Sequence, residues 1–295
     1  IEKLADPSVK AFFLVNPSNP SSVAMREDTL KKIANLVQTR RKDLIILTDD
    51  VYGTFVNGFR SLASAAPQNT ILVYSYSKYF GCTGLRLGVI AIHEDNVFDR
   101  MIAGLPEKER EELHRRYETV ILKPESMKLI ERMVADSRSV ALHHTAGLST
   151  IMQVQMMLFS LYCLIDEKGD YKKGVQYIVA HRFKTLYDAM GVPCPDDPLD
   201  ARYYTTIDIP ALAETRYGRD FATHLVTKHE PIDFVVRLAE RKSVVLMDGG
   251  GFDAPRMSVR VSLANLPNRS YEEIGRAISD VLEEYHAEWG GGKKK

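Results

Sequence analysis

The chain has 295 residues, 45% of them hydrophobic and 26% charged, with 39 Lys and Arg against 39 Asp and Glu. That is ordinary globular composition at a length suited to one large domain or two. A formal net charge of zero favours neither nucleic acid nor an anionic membrane as a partner, and no run reaches the ~18 consecutive apolar residues of a membrane span.

The opening "IEKLADPSVK" has the pattern of neither a signal peptide nor a transit peptide. It lacks an initiator Met and runs almost directly into a strand, so the chain is expected to be incomplete. Alternating strand and helix signals follow. "AFFLV" (11–15) is a short apolar run that ends in the turn-rich "NPSNPSS". Residues 26–41 have helical spacing, with Leu30, Ile33, Ala34 and Val37 on one face. "LIILT" (44–48) reads as a buried strand closed by Asp49 and Asp50, and "ILVYSYS" (71–77) and "LGVIAI" (87–92) read as two more. Continuous apolar strands separated by a helix predict a sheet covered on both faces, in an α/β layer architecture and with parallel strands.

Residues 95–140 change character, with the charged, helix-forming "LPEKEREELHRRYETV" and "ESMKLIERMVADSRS". Residues 145–166 predict a long, Met-rich, largely apolar and buried helix, and 168–190 an amphipathic one ending at the Pro-rich break "MGVPCPDDP". Beyond it "RYYTTIDI", "SVVLM" and "RMSVRVSL" read as strands, with helices near 216–241. Ser270 and Glu273 form a capping-box pattern that opens a last helix to about Trp289. The expected domains are 1–166, carrying a helical insertion at about 95–140, and 167–290, an interdomain helix with a smaller α+β domain. The residues after these, 291–295, are expected to form a flexible tail. Cys82, Cys163 and Cys194 are scattered and odd in number, as reduced thiols of a cytoplasmic protein would be, and suggest no disulfide framework or zinc site.

Unusual residues gather at the strand ends: "VNPSNP", "TDDVY" and "SYSKYFGCTGLRLG", with "SVRVSLAN" near the C-terminus. In open α/β sheets ligands collect at the carboxyl ends of strands. Taken singly, each stretch has a plain reading. Asp49 and Tyr52 could be turn residues, Lys78 a surface lysine and Arg260 an exposed strand arginine. No His–Asp or His–Glu cluster makes the paired carboxylates a metal site. Arg86, between Gly84 and Gly88, sits where backbone and side chain can approach an anion.

Taken in order, the pattern is more specific: Asn-Pro, Asp-x-x-Tyr, Ser-x-Ser-Lys, an Arg eight residues after the Lys, then Arg-x-Ser. It resembles the fold-type I aminotransferase superfamily, which uses pyridoxal 5'-phosphate. Within that superfamily "KAFFLVNPSNP", "DLIILTDDVYGTF", "NTILVYSYSKYFG", "RLGVIAIHEDN" and "HHTAGLSTIMQVQMMLFSL", with the insertion at about 95–140, resemble the aspartate 4-decarboxylases. Ser21 and Ser22 stand where many aminotransferases have Thr-Gly, and Leu85 where many have Trp; neither departure touches a site role.

The resemblance implies the C-terminal part of a fold-type I pyridoxal-phosphate-dependent transferase: an α/β/α large domain lacking its N-terminal half, plus a smaller α+β C-terminal domain. It implies Lys78 as the catalytic lysine that bonds the cofactor, and Arg86, Ser75 and Ser77 at its phosphate, with Ser75 the expected direct hydrogen bond. Asp49 is implied at the pyridinium nitrogen, Tyr52 and Asn19 at the phenolic oxygen, and Arg260, with Asn19, at the substrate carboxylate. The Asn19–Pro20 bond matches one that is often cis in the superfamily.

The implied reaction takes L-aspartate to L-alanine and CO2 with aminotransferase side activity, in a homodimer or larger assembly, the chain alone being inactive. Rival readings are a plain aspartate aminotransferase, a non-catalytic fragment, and a Ser-x-x-Lys hydrolase read from "SYSK". The last lacks its Ser-Asp-Asn and Lys-Thr-Gly companions.

Overall fold

A computed structural model of the chain describes residues 1–139 and 148–292. The expected tail residues 293–295 lie outside the described residues, as do His143, His144, Thr145, Ala146 and Gly147 of the motif quoted above. The described chain forms two compact units. One comprises residues 1–16, 25–53, 58–139 and 148–169, the other residues 17–24, 54–57 and 170–292.

The first unit opens with α1 (Glu2–Ala5), β1 (Ala11–Val15) and α2 (Glu27–Thr39). β2 (Ile45–Asp49), α3 (Leu62–Ala65), β3 (Thr70–Ser75), α4 (Tyr76–Tyr79) and β4 (Gly88–Ile92) follow. The sheet order is β1-β2-β3-β4. β1, β2 and β3 are parallel, with Val15 opposite Asp49 and Asp49 opposite Val73. The core of the unit is one face of α2 (Leu30, Ile33, Ala34 and Val37, as the spacing predicts) packed with Leu44, Ile46 and Leu62. Burial of each such side chain contributes about 1.5–3 kcal/mol.

Two strand expectations are corrected. β4 runs antiparallel to β3, Ser75 facing Gly88. The connection, residues 76–87, holds only the four-residue α4 and a short 3₁₀ turn at Thr83–Leu85, with no helix of the kind that usually makes a parallel crossover. β3 also stops at Ser75 instead of Ser77, because the Ser75 hydroxyl accepts the Ser77 N–H at 3.1 Å and caps α4. Nor are both faces of this sheet covered among the described residues: Phe13 on β1 is 64% exposed and β4 is largely open.

The charged segment after β4 forms α5 (Val97–Ala103), α6 (Glu107–Tyr117) and α7 (Leu129–Ser139), with a small core of Tyr117, Met127, Ala135 and Leu113. α8 (Thr150–Ile165) is the expected Met-rich helix, but it is not buried. Its N-cap is Ser149, and Ile151 and Leu164 are 78% and 77% exposed. Apolar composition predicts a need for cover but not that the cover lies in the same described residues. α8 meets the sheet loop through Phe159, which stacks on Phe80 at 4.4 Å between ring centroids, and through Ser160, hydrogen-bonded to the Tyr76 hydroxyl at 2.9 Å.

The second unit contains α9 (Asp170–Met190), β5 (Tyr204–Asp208), α10 (Ile209–Tyr217), α11 (Arg219–Lys228), α12 (Pro231–Lys242), β6 (Met247–Asp248), β7 (Ser258–Ser262) and α13 (Asn268–Gly292). Its sheet is antiparallel, in the order β5-β7-β6. The expected strand at 243–247 is reduced to Met247 and Asp248, since Ser243 ends α12 in a left-handed turn. The expected capping box at Ser270 is also corrected. α13 begins two residues earlier, right after Pro267, and Ser270 falls inside its first turn. A capping box does occur, at Glu230 and Asp233 opening α12. No helix of the described residues is long and apolar enough to cross a membrane.

α9 and α13 pack closely around Gly275, where an added Cβ would lie 2.6 Å from the Leu186 carbonyl oxygen and 2.8 Å from the Ala189 Cβ. Gly275→Ala should therefore lower stability by about 1–3 kcal/mol, the overpacking outweighing the better helix propensity of alanine. Urea unfolding followed by the fluorescence of Trp289, the single tryptophan and a neighbour of this core, reads the change. An unchanged or raised midpoint would show that the helices can move apart.

Candidate functional site

The parallel register of β1, β2 and β3 brings their carboxyl ends side by side in the first unit. The Asn16 N–H donates to the Asp49 carbonyl at 2.9 Å, and the Asp50 N–H to the Val73 carbonyl at 3.0 Å. Asp49 closes β2, and Lys78 lies in α4, three residues beyond the end of β3. The Asp49 carboxylate accepts the Val51 N–H at 3.1 Å. Burial pushes its carboxyl above the ordinary carboxylate value; the Val51 N–H and the Lys78 charge draw it part of the way back. The Lys78 charge thus reaches the Asp49 carboxylate across the strand ends.

The neighbouring Asp50 has a different part. It is 5% exposed, and Thr48 Oγ1 donates to it at 2.7 Å. Burial raises its carboxyl too, against hydrogen bonds from Ser61 and Thr48. Its carboxylate is held by these hydroxyls within the sheet, which leaves Asp49 as the carboxylate beside Lys78. Tyr52, two residues on, is 4% exposed.

The serines of the loop differ in their engagement. The Ser75 hydroxyl donates to the Leu87 carbonyl at 3.1 Å while it accepts from the Ser77 N–H. Ser77 is 3% exposed, and its Oγ is buried without a hydrogen-bond partner. An orphaned buried hydroxyl beside a lysine is unfavourable unless a further acceptor arrives. Arg86, exposed and in the left-handed backbone region at φ 54°, donates to the Thr83 carbonyl at 3.2 Å.

Asn19 and Arg260 belong to the second unit. The Asn19–Pro20 peptide is cis. Arg260 Nη1 donates to Asn19 Oδ1 at 2.9 Å, and the guanidinium lies over the rings of Tyr204 and Phe252, 4.5 Å from each centroid. Nη2 approaches the Met247 sulfur at 2.7 Å, and Nε is buried without a partner. Opposite Arg260 across the sheet stands Thr206, whose hydroxyl is also buried and unpartnered. The face therefore offers a fixed, planar cation with donor capacity to spare. Its ring contacts did not emerge from sequence reasoning. Strand alternation could have placed Tyr204 with Thr206 on the arginine's face, but nothing in "DGGGF" marks Phe252.

Residues 1–278 match the family model described as aminotransferase class I and II. Among curated proteins, a "Bifunctional aspartate aminotransferase and L-aspartate beta-decarboxylase" of Pseudomonas sp is 48% identical over 289 residues, covering 98% of this chain and 54% of that protein. An "Aromatic-amino-acid aminotransferase 2" of Thermococcus litoralis is 33% identical over 99 residues, 32% of this chain and 25% of the relative. Of solved structures, an aromatic aminotransferase from Pyrococcus horikoshii OT3 superposes with TM-score 0.63 at 22% identity, covering 93% of this chain and 60% of that one. An aspartate aminotransferase from Thermus thermophilus with maleate gives TM-score 0.61 at 18% identity, with 95% and 59% covered. These structural likenesses show the fold. The chain spans about half the length of the Pseudomonas protein.

The burial of Asp49 makes a pH-dependent prediction. A carboxyl raised in the folded state costs stability once it ionises, and costs nothing where both states are protonated. Asp49→Asn should therefore raise the unfolding midpoint of the cofactor-free chain at pH 7. The gain should fade as pH falls through the raised value of the folded carboxyl and be gone below the ordinary carboxylate value of about 4. Equal midpoints for the two proteins at pH 7 would show that Asp49 is not held against its ionisation.

Proposed function

The chain belongs to the class I and II aminotransferase family, and we propose that the whole protein uses pyridoxal 5'-phosphate to convert L-aspartate to L-alanine and CO2, transaminating aspartate as a side activity. The observation that carries this reading is the 48% identity, along nearly the whole chain, to the bifunctional Pseudomonas protein. The residues present fit the cofactor. Asp49 is a half-buried carboxylate whose ionised form calls for a cationic N–H, and Ser77 offers a buried hydroxyl with no partner. When bound, the cofactor supplies an electron sink for the bonds broken at the amino acid.

The chain's own residues would do the rest. Lys78 bonds the cofactor and then serves as the base that takes and returns the substrate's α-proton at Nζ. Asp49 holds the ring nitrogen protonated by hydrogen bond and charge. Tyr52 and Asn19 donate to the ring's phenolic oxygen. Ser77, Arg86 and Ser75 hold the phosphate, with Ser77 the better placed hydroxyl, since Ser75 is occupied at Ser77 N–H and Leu87 O. Arg260, oriented by Asn19, grips the α-carboxylate with its planar fork. Exclusion of water then favours loss of the β-carboxylate over hydrolysis.

In this reading residues 1–166 form cofactor-binding structure with the insertion at about 95–140, and 167–290 the interdomain helix and small domain. A homodimer or larger assembly is the working unit. The free thiols of Cys82, Cys163 and Cys194 suit a reducing compartment such as the cytoplasm. A plain aspartate aminotransferase is the second reading, favoured by the family description itself.

The test uses the protein in its full natural reading frame, given L-aspartate with and without 2-oxoglutarate. Alanine and CO2 should appear in equal amounts without 2-oxoglutarate, and glutamate as a lesser product with it. Glutamate as the sole new amino acid would assign the aminotransferase reading. In the same protein Arg260→Lys should raise KM for aspartate about tenfold or more while the cofactor stays bound, because an ammonium cannot reproduce the bidentate fork. Loss of cofactor with substrate affinity intact would reverse the two arginine roles.

A further inference from the structure

The insertion helices form a half-open cavity of about 340 Å³ that the proposed chemistry does not use. Arg132, on α7, lines it and is only 4% exposed. Its Nε donates to the Met127 carbonyl at 3.1 Å and its Nη2 to the Pro124 carbonyl at 2.8 Å, while the Tyr117 ring lies 5.0 Å from the guanidinium carbon. Among the described residues Nη1 has no hydrogen-bond partner and no carboxylate forms an ion pair with Arg132. Two carbonyl dipoles and a ring face leave a full positive charge buried without a counter-ion, which is a costly arrangement unless an anion completes it.

The carboxylates nearby are already engaged. Both Asp99 oxygens accept hydrogen bonds, one from the Leu129 N–H and the other from Asn96 Nδ2 at 2.8 Å. Glu125 pairs with His114 at 3.4 Å, and the Asp136 carboxylate takes the Tyr117 hydroxyl and Arg116. The N–H groups at the start of α7 are also taken: Lys128 N–H donates to Glu131 at 2.8 Å and Leu129 N–H to Asp99. The helix end is therefore not the attraction. The surplus donor is the arginine itself, with the Lys128 ammonium also lining the cavity.

The apolar part of the wall is Ile102, Ala103, Leu113 and Met127, and the polar part includes His114, Ser126 and Arg110, the last paired with Glu107. We propose that this cavity is a second ligand site that binds a small carboxylate with a short hydrocarbon tail. One carboxylate oxygen would accept from Arg132 Nη1, Lys128 would contribute its charge, and the tail would lie against Leu113 and Met127. Carboxylate fits better than phosphate because Asp99 and Glu125 also line the cavity and would repel a second negative charge. The site belongs to the insertion, so the inference does not depend on the reaction assigned above.

The experiment titrates butyrate calorimetrically into the full-length, cofactor-loaded protein carrying Arg260→Lys, so that the proposed substrate site contributes little. Inorganic phosphate and n-butylammonium serve as comparison probes. Replacing Arg132 would also remove its bonds to Pro124 and Met127, so the variants are placed on the walls. Ala103→Phe fills the cavity, and Lys128→Gln removes one charge. We expect one saturable butyrate site per chain, no saturation by n-butylammonium, loss of the site in Ala103→Phe and about fivefold to tenfold weaker binding in Lys128→Gln. No saturable butyrate binding, binding unaltered by Ala103→Phe, or saturation by phosphate alone would overturn the assignment.

Discussion

The site in the first unit depends on one constraint, the parallel register of three strands. Because β1 and β2 end together against β3, which runs two residues further, the backbone at Asp49 and Asp50 is bonded to both neighbours, to Asn16 on one side and Val73 on the other. Backbone groups paired in this way cannot drift. A carboxylate at the end of the middle strand and a lysine just past the end of the third are consequently held within reach of each other's charge. Nothing in their side chains alone would ensure this.

The loop that carries Lys78 is fixed from two directions. From beneath, Ser75 caps α4 and bonds the start of β4 through the Leu87 carbonyl. From the side, Phe80 and Tyr76 pack on Phe159 and Ser160 of α8. Stacked rings of this kind add about 0.5–1.5 kcal/mol beyond area burial. A helix otherwise exposed along its length thereby takes part in positioning the lysine. The engagement of Ser75 leaves Ser77 as the hydroxyl without a partner, and a preorganised donor of that kind binds an anion without first breaking a bond.

Much of the fold was legible because it rests on local pattern. The face of α2 at Leu30, Ile33, Ala34 and Val37 is buried as its spacing predicts, and β1, β2 and β7 fall within two residues of the apolar runs. The family was legible in the order of short motifs, which no single residue carries. What stayed hidden depends on partners distant in sequence. The direction of β4 goes with a connection from β3 that holds no crossover helix. The exposure of α8 depends on which neighbours are at hand, which hydropathy does not encode. The ring contacts of Arg260 need Tyr204 and Phe252, drawn from a strand and a glycine turn, and only the fold brings both to one guanidinium. The cation without a counter-ion at Arg132 was hidden for the same reason: the charged run around it reads as a solvated helix face until its burial is known.

The central claim is that Lys78, beside Asp49, is the residue that bonds the cofactor. Borohydride reduction of the pyridoxal-phosphate-loaded, full-length protein, followed by peptide mapping, tests it directly. A stable adduct on Lys78 is expected, and its disappearance in Lys78→Ala. An adduct on any other lysine, or labelling undiminished in that variant, would contradict it.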